Sequence, residues 1–482
     1  MTEPTGENPL TDSPVAAPSP ARPRPPVHGD LTQGPILKTL LLFSIPTLIS
    51  NLLQTLNGTI NAIWVGRLIG NSALAATANA NLVMFLLFAA VFGFGMATTV
   101  RVGHAFGAGD VVGARRVIGT GLGFCLMVSA VVGIAGSLLA RPLLHALATP
   151  AASLEEALAY LRVVFITFPL ATLSLVVSMG LRGAGDAKTP LYAMILTVLV
   201  DAALNPLLIR GAGPVPGLGI AGSAMATAFA NALGSAFMIA RAYARALPLR
   251  LGRGELRYLL PAREELGFVL AKGLPMGAQM LLISSAGLVM VGLVNREGMM
   301  MAAAYGASLQ IWNYLQMPSF AISSAVSAMV AQNVGAGNHL RVGRITRAGV
   351  FSNIAFTTAM SSLIVLGAHP LLVLFLGSGS PAVPLASHMQ LIVTWSFVLV
   401  GVMMILTGTM RAYGSVIVPL VVMGVSMYPA RLGFYFLAYP HIGAEALWWA
   451  YLAGSVVAVG LTLAAYAGGR WRGHGKEAQP AR

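Results

Sequence analysis

Charge is what this sequence has least of. Only 9% of its 482 residues are charged and 56% are hydrophobic, with a mean hydropathy of +0.78. Soluble chains carry about 25% charged residues, so this one cannot clothe a water-facing surface. Cysteine occurs once, as Cys125 within an apolar run, which excludes a disulfide framework and a Cys-based metal site. The eight histidines (His28, His104, His145, His339, His369, His388, His441 and His474) fall in tails, loops or run ends without ligand spacing. The glycine pairs Gly107/Gly109 and Gly335/Gly337 are followed by no Lys-Ser/Thr, so they do not form a phosphate-cradling loop. All four are expected to permit positive φ at sharp turns. Without a nucleotide site, energy for any transport must come from an ion gradient. Residues 1–30 contain no apolar stretch and hold Pro14, Pro18, Pro20, Pro23, Pro25 and Pro26. They read as a disordered tail and not as a cleavable signal.

What the chain does have is apolar runs long enough to cross a hydrocarbon core of about 30 Å. They fall near 35–64, 72–100, 114–140, 154–181, 189–209 and 217–240, and again near 266–294, 300–330, 345–368, 386–410, 415–438 and 444–468. Backbone groups cannot go unpaired in lipid, so each run is read as a helix. None alternates as a barrel strand would. The fold class is therefore all-α integral membrane, with twelve transmembrane helices.

The net charge of +14 does not indicate nucleic acid, because Lys and Arg lie between the runs and not on one basic face. Of the 29 basic residues, all but Arg67, Arg141, Arg162, Arg210, Arg296 and Arg431 fall in segments that share one side if the N-terminus is cytoplasmic. By the positive-inside rule both termini are then cytoplasmic, and the expected location is the cell inner (plasma) membrane.

The second half repeats the first at an offset of 228–229 residues. Pro46 recurs as Pro275, Gly107-Ala108-Gly109 as Gly335-Ala336-Gly337, and Arg116 as Arg344; Arg182, Gly185 and Pro190 recur as Arg411, Gly414 and Pro419. Each half holds six spans, so the copies are parallel, related by an axis along the membrane normal. The expected organisation is a tail at 1–30, an N-lobe at 31–240, a basic linker at 241–265, a C-lobe at 266–468 and a basic tail at 469–482.

The ordered stretches INAIWVGRLIG (60–70), GAGDVVGARR (107–116), YLRVVFITFP (160–169), LRGAGDAKTPLYA (181–193), NPLLIRGAGPVPGLGIAGSAMAT (205–227), QNVGAGN (332–338) and RAYGSVIVP (411–419) resemble the multidrug and toxic compound extrusion (MATE) family. The resemblance covers about residues 35–465. It implies a twelve-helix, two-lobe exporter that rocks between outward- and inward-open forms, driven by Na⁺ or H⁺ entry.

Only one acid, Asp201, lies deep within a run. A carboxylate there costs about 2.5–3.5 kcal/mol on insertion scales and is a functional candidate by default. Asn205 lies four residues on, on the same helical face, and Pro206 removes a backbone donor beside it. This set suits a cation, or a carboxyl that takes up a proton, since desolvation disfavours the charged form. The family pattern at these two positions is Asn then Asp, exchanged here, and Asn61 stands where relatives usually carry an Asp. The ion-coupling candidates are Asp201, Asn205 and Asn61. One carboxylate favours H⁺ over Na⁺, because a single proton neutralises it. Relatives with a Glu in the seventh span match Ile283 here, so coupling through the second lobe is not expected.

Substrate-cavity candidates are Gln54, Asn57, Gln279, Tyr305, Gln310 and Trp312, whose aromatic members offer faces to a delocalised cation. The expected function is cation-coupled antiport exporting small amphipathic or organic-cation compounds, by a monomer in contact with membrane lipid, with no cofactor, no metal and no nucleic acid. Two alternatives stand beside it. A lipid-linked oligosaccharide flippase would want a basic central cavity, and an integral-membrane transferase would want clustered acids for Mg²⁺. The runs contain neither.

Overall fold

The computed structural model describes residues 29–146, 149, 151–211 and 216–473; most of both tails lies outside them. The N-terminal half forms α1 (Ile36–Leu68), α2 (Asn71–Ala108), α3 (Val111–Ala146), α4 (Ala151–Gly183), α5 (Lys188–Arg210) and α6 (Gly219–Ala244). The C-terminal half forms α7 (Arg263–Arg296), α8 (Met299–Gly335), α9 (His339–Leu366), α10 (Ala368–Leu376), α11 (Ala382–Val393), α12 (Ser396–Ala412), α13 (Ile417–Val425), α14 (Arg431–Ile442) and α15 (Ala446–Ala467).

Nine stretches among the described residues are long and apolar enough to cross a membrane by composition alone, and α11 with α12, bent by 42°, makes a tenth. The stretch 417–467 divides at Gly443, whose φ of 58° turns α15 back onto α14. The twelfth span is α8. From Ser319 to Val334 nearly every residue is buried, because α8 runs through the bundle and faces little lipid. It therefore tolerates Ser319, Ser323, Ser327, Gln332 and Asn333, which lower its hydropathy without exposing polar groups to hydrocarbon. The protein is a multi-pass membrane protein with the expected twelve-helix architecture.

Four glycines were expected to adopt positive φ, and only two do. Gly109 and Gly337, one per repeat, have φ of 81° and 76° at matching turns. Gly107 and Gly335 remain helical and act by being small. A methyl group on Gly107 would strike the main chain of Gln332, and one on Gly335 would strike that of His104. The two lobes thus meet backbone to backbone along α2 and α8, at the face that carries both ends of the described chain.

Side chains complete that closure. Gln332 Nε2 donates to Gly183 O at 3.1 Å in the N-lobe, while its Oε1 accepts from Leu31 N at 2.8 Å. Asn333 Nδ2 donates to Leu31 O at 3.2 Å, and Arg341 Nη2 to Gly34 O at 2.6 Å. His104 shares a 2.6 Å hydrogen bond with Ala412 O. The short segment before α1 is therefore a strap laid over the junction between the lobes. On the same face, the linker turn Arg253–Leu259 rests on α3. Arg115 holds it there by donating to Pro248 O at 2.7 Å and pairing with Glu255 at 3.0 Å.

Two expectations follow. Gly335→Leu should overpack the α2–α8 contact, which costs about 1–3 kcal/mol, and shift the molecule towards a form open on this face. Spin-label distances across the junction should lengthen relative to the parent. The Gly252 amide, followed by Arg115, holds the Glu255 carboxyl below its ordinary value. Docking that depends on the ionised group is then complete above the ordinary glutamate pKa of about 4.3 and lost as pH falls through the depressed value. Amide exchange of residues 252–259 should rise on acidification, and Glu255→Gln should exchange faster at neutral pH.

Candidate functional site

Asp201 is fully buried midway along α5, and three helices converge on it. Its Oδ2 accepts from Asn57 Nδ2 at 2.7 Å and Asn61 Nδ2 at 3.0 Å, both on α1. Its Oδ1 accepts from Asn205 Nδ2 at 2.8 Å, one turn on along α5. The Thr227 hydroxyl on α6 reaches both oxygens, at 3.1 and 3.2 Å. Asn205 Nδ2 also donates to Asn61 Oδ1 at 2.8 Å, closing the ring of amides. α5 stays continuous through Pro206, and the Asp201 carbonyl takes a further hydrogen bond from the Asn205 side chain at 3.1 Å.

Hydrogen bonds to an ionised group contribute about 1.5–3 kcal/mol each, so this set can hold a carboxylate that the bilayer would otherwise reject. Two acceptors are left over. Asn57 Oδ1 and Asn205 Oδ1 are buried with no donor. An excess of oxygens around one carboxylate fits a group that brings positive charge or a proton. Beside the cluster, Thr227 also lines a cavity of about 160 Å³ within the N-lobe, bounded by Tyr160, Phe88, Phe168, Thr167 and Asn231.

The structure gathers Asp201, Asn205 and Asn61 as one group and adds Asn57, which had been assigned to the substrate cavity. The other cavity candidates lie elsewhere. Gln279 is buried in the C-lobe, donating to Val416 O at 3.2 Å and accepting from Arg411 at 3.4 Å. Tyr305 shares a 2.6 Å bond with the Tyr451 hydroxyl, and Trp312 Nε1 donates to Gln390 at 2.8 Å, both inside the C-lobe core. Gln54 and Gln310 are exposed. Thr227 and Tyr160 were not singled out from the sequence. Thr227 is a polar residue in an alanine-rich helix, and only the pairing of α5 with α6 shows that it faces the carboxylate.

The MatE family profile matches residues 46–207 and again residues 275–437, one copy in each lobe. A probable multidrug resistance protein of Bacillus subtilis, YoeA, is 32% identical over 80% of this chain and 83% of its own length. A protein of Shewanella oneidensis described as an FAD transporter is 26% identical over 85% of this chain and 90% of its own. Among solved structures, the outward-facing conformation of a multidrug resistance MATE family transporter superposes with a TM-score of 0.85 at 22% identity, covering 94% of this chain and all of the other. Two repeated profile matches, a relative at this identity and the shared fold make the chain a member of the MatE family, a multi-pass membrane transporter and not an enzyme.

Proposed function

We propose that the protein exports small amphipathic or organic-cation compounds by cation-coupled antiport, with a proton taken up and released at Asp201. The observation that carries this reading is the Asp201 ring: one carboxylate, four side-chain donors and two unpartnered acceptor oxygens inside a span. When the carboxyl is ionised, Asn57, Asn61, Asn205 and Thr227 donate to it. When it is protonated it becomes a donor, and Asn57 Oδ1 or Asn205 Oδ1, each without a partner, can accept once its amide turns over. Thr227 can turn its hydroxyl from donating to accepting. Both protonation states are then satisfied without a partner from outside, which is what a reversible proton carrier needs. The relatives described as probable multidrug resistance proteins support drug export as the overall activity.

The strap face is read as cytoplasmic from its basic residues, with both termini inside and the protein in the plasma membrane. The form described here, sealed on that face, is then the one in which the site communicates with the outside. α1 links seal and site, because it begins just after the strap and carries Asn57 and Asn61. A change in the charge of Asp201 alters what holds the middle of α1, and so biases the seal. Alternating access follows as a two-state equilibrium that the proton and the cargo both shift.

Proteoliposomes loaded with a fluorescent organic cation test this. Cargo should move against its concentration gradient when a pH gradient is imposed, and a Na⁺ gradient alone should not drive it; the reverse result would replace the proton with Na⁺. Asp201→Asn should abolish gradient-driven accumulation while leaving passive exchange of cargo. Thr227→Val removes one charge-assisted hydrogen bond worth about 1.5–3 kcal/mol, so coupled flux should fall roughly tenfold or more. Thr227→Ser, which keeps the hydroxyl, should restore most of it.

A further inference from the structure

The C-lobe buries a cation that has no anion. Arg431 opens α14 halfway along the span 417–442 and is 9% exposed. Its guanidinium carbon lies 4.2 Å from the centre of the Tyr451 ring. Nε is sealed among protein atoms without a hydrogen-bond partner, whereas the Nη groups are not sealed. Among the described residues no carboxylate pairs with Arg431 and no acceptor takes its hydrogens. An ionisable side chain inside a span marks a functional site by default, with a partner to be named. Here the chain itself supplies none.

Its place in the repeat is telling. Residues Ser426–Ala430 form a π-turn between α13 and α14, the kind of turn that inserts one residue into a helix. Before it the repeat offset is 229, as in Pro190 and Pro419. The two family-profile matches run from 46 to 207 and from 275 to 437, so the second is one residue longer and its end is offset by 230. With that one residue counted, Arg431 stands at an offset of 230 from Asp201, so at this spacing a cation follows in the C-lobe where the N-lobe has an acid.

The surroundings of Arg431 suit an anionic group. Gly454 of α15 lies close against the side chain: a methyl there would sit 3.3 Å from Nε, so the missing side chain is what makes room. The Tyr305 and Tyr451 hydroxyls are joined at 2.6 Å, which leaves one O–H of the pair free to donate outward. Trp312 lies 5.7 Å from Tyr451 between ring centroids, and Trp448 stacks on Tyr305 at 6.0 Å, so the buried core fixes the tyrosine pair beside the guanidinium. A guanidinium edge presents two parallel donors that match the oxygens of a carboxylate or phosphate.

We propose that Arg431, with the Tyr305–Tyr451 hydroxyl pair, is an anion subsite in the C-lobe that takes the carboxylate or phosphate of a transported amphiphile. This rests on the transport reading above and extends it: the cargo range includes anionic and zwitterionic compounds as well as cations.

The test uses the full chain in nanodiscs of phosphatidylcholine and equilibrium dialysis against empty nanodiscs. Three probes share one ring system: 1-naphthoate, 1-naphthyl phosphate and a naphthylmethyl-trimethylammonium cation. Both anions should bind the parent saturably. Arg431→Gln and Arg431→Met should weaken both by about tenfold or more while changing the cation by less than about twofold, and Arg431→Lys should keep part of the affinity. Because Met removes an unpaired buried charge, the melting temperature of Arg431→Met should not fall. The proposal is overturned if the parent binds neither anion, or if Arg431→Gln binds them as the parent does. A lower melting temperature with anion affinity retained in Arg431→Met overturns it as well and leaves a structural cation. Loss of anion binding when phosphatidylglycerol is added to the nanodiscs would give the subsite to a lipid headgroup and not to cargo. Gradient-driven efflux of the ammonium probe is measured in parallel. If the parent does not move it, the transport reading fails whatever the dialysis shows; if parent and Arg431→Gln both move it and anion affinity is unchanged, the subsite alone fails.

Discussion

A charge inside a hydrocarbon slab must be solvated by protein, and that requirement organises the N-lobe. Asp201 is fully buried, so its two oxygens draw Asn57 and Asn61 from α1, Asn205 from its own helix and Thr227 from α6. Each is an ordinary polar residue that would be costly alone at that depth. Together they hold three helices in one register. The same rule explains α8: it carries serines and amides through the bundle because it is covered by its neighbours.

The second constraint is steric. At the strap face α2 and α8 approach so closely that only glycine fits at Gly107 and Gly335. Such a contact is either made or broken, with little between, because close-packed backbones do not yield gradually. The hydrogen bonds of Gln332, Asn333 and His104 add directional closure. Helix α1 spans the distance between this seal and the carboxylate. It begins beside the strap, carries Pro46 and presents Asn57 and Asn61 to the buried acid.

The lobes are alike in path and unlike in chemistry. Where the N-lobe buries an acid among amides, the C-lobe buries Arg431 over a tyrosine ring, with Tyr305, Trp312 and Trp448 packed around it. The acid is answered by its own chain and the guanidinium is not. That asymmetry is the main chemical difference between the two halves among the described residues.

Much of this was legible in the sequence because the bilayer imposes rules that act locally. Run length and scarcity of charge specify spans, and glycines, prolines and arginines recurring at one offset mark the repeat that the family profile matches twice. Asp201 stood out because it was the only acid deep in a run, and Asn205 because four residues bring it to the same face. What helix period cannot say is which helix lies beside which. The tertiary structure alone decided that Asn57 and Thr227 complete the carboxylate ring and that Tyr305 and Trp312 belong to the C-lobe core. It also decided that Gly107 and Gly335 serve close contact and not a turn, and that a π turn directly precedes the buried Arg431. Each depends on distances between segments far apart in the chain, which packing sets and local pattern does not encode.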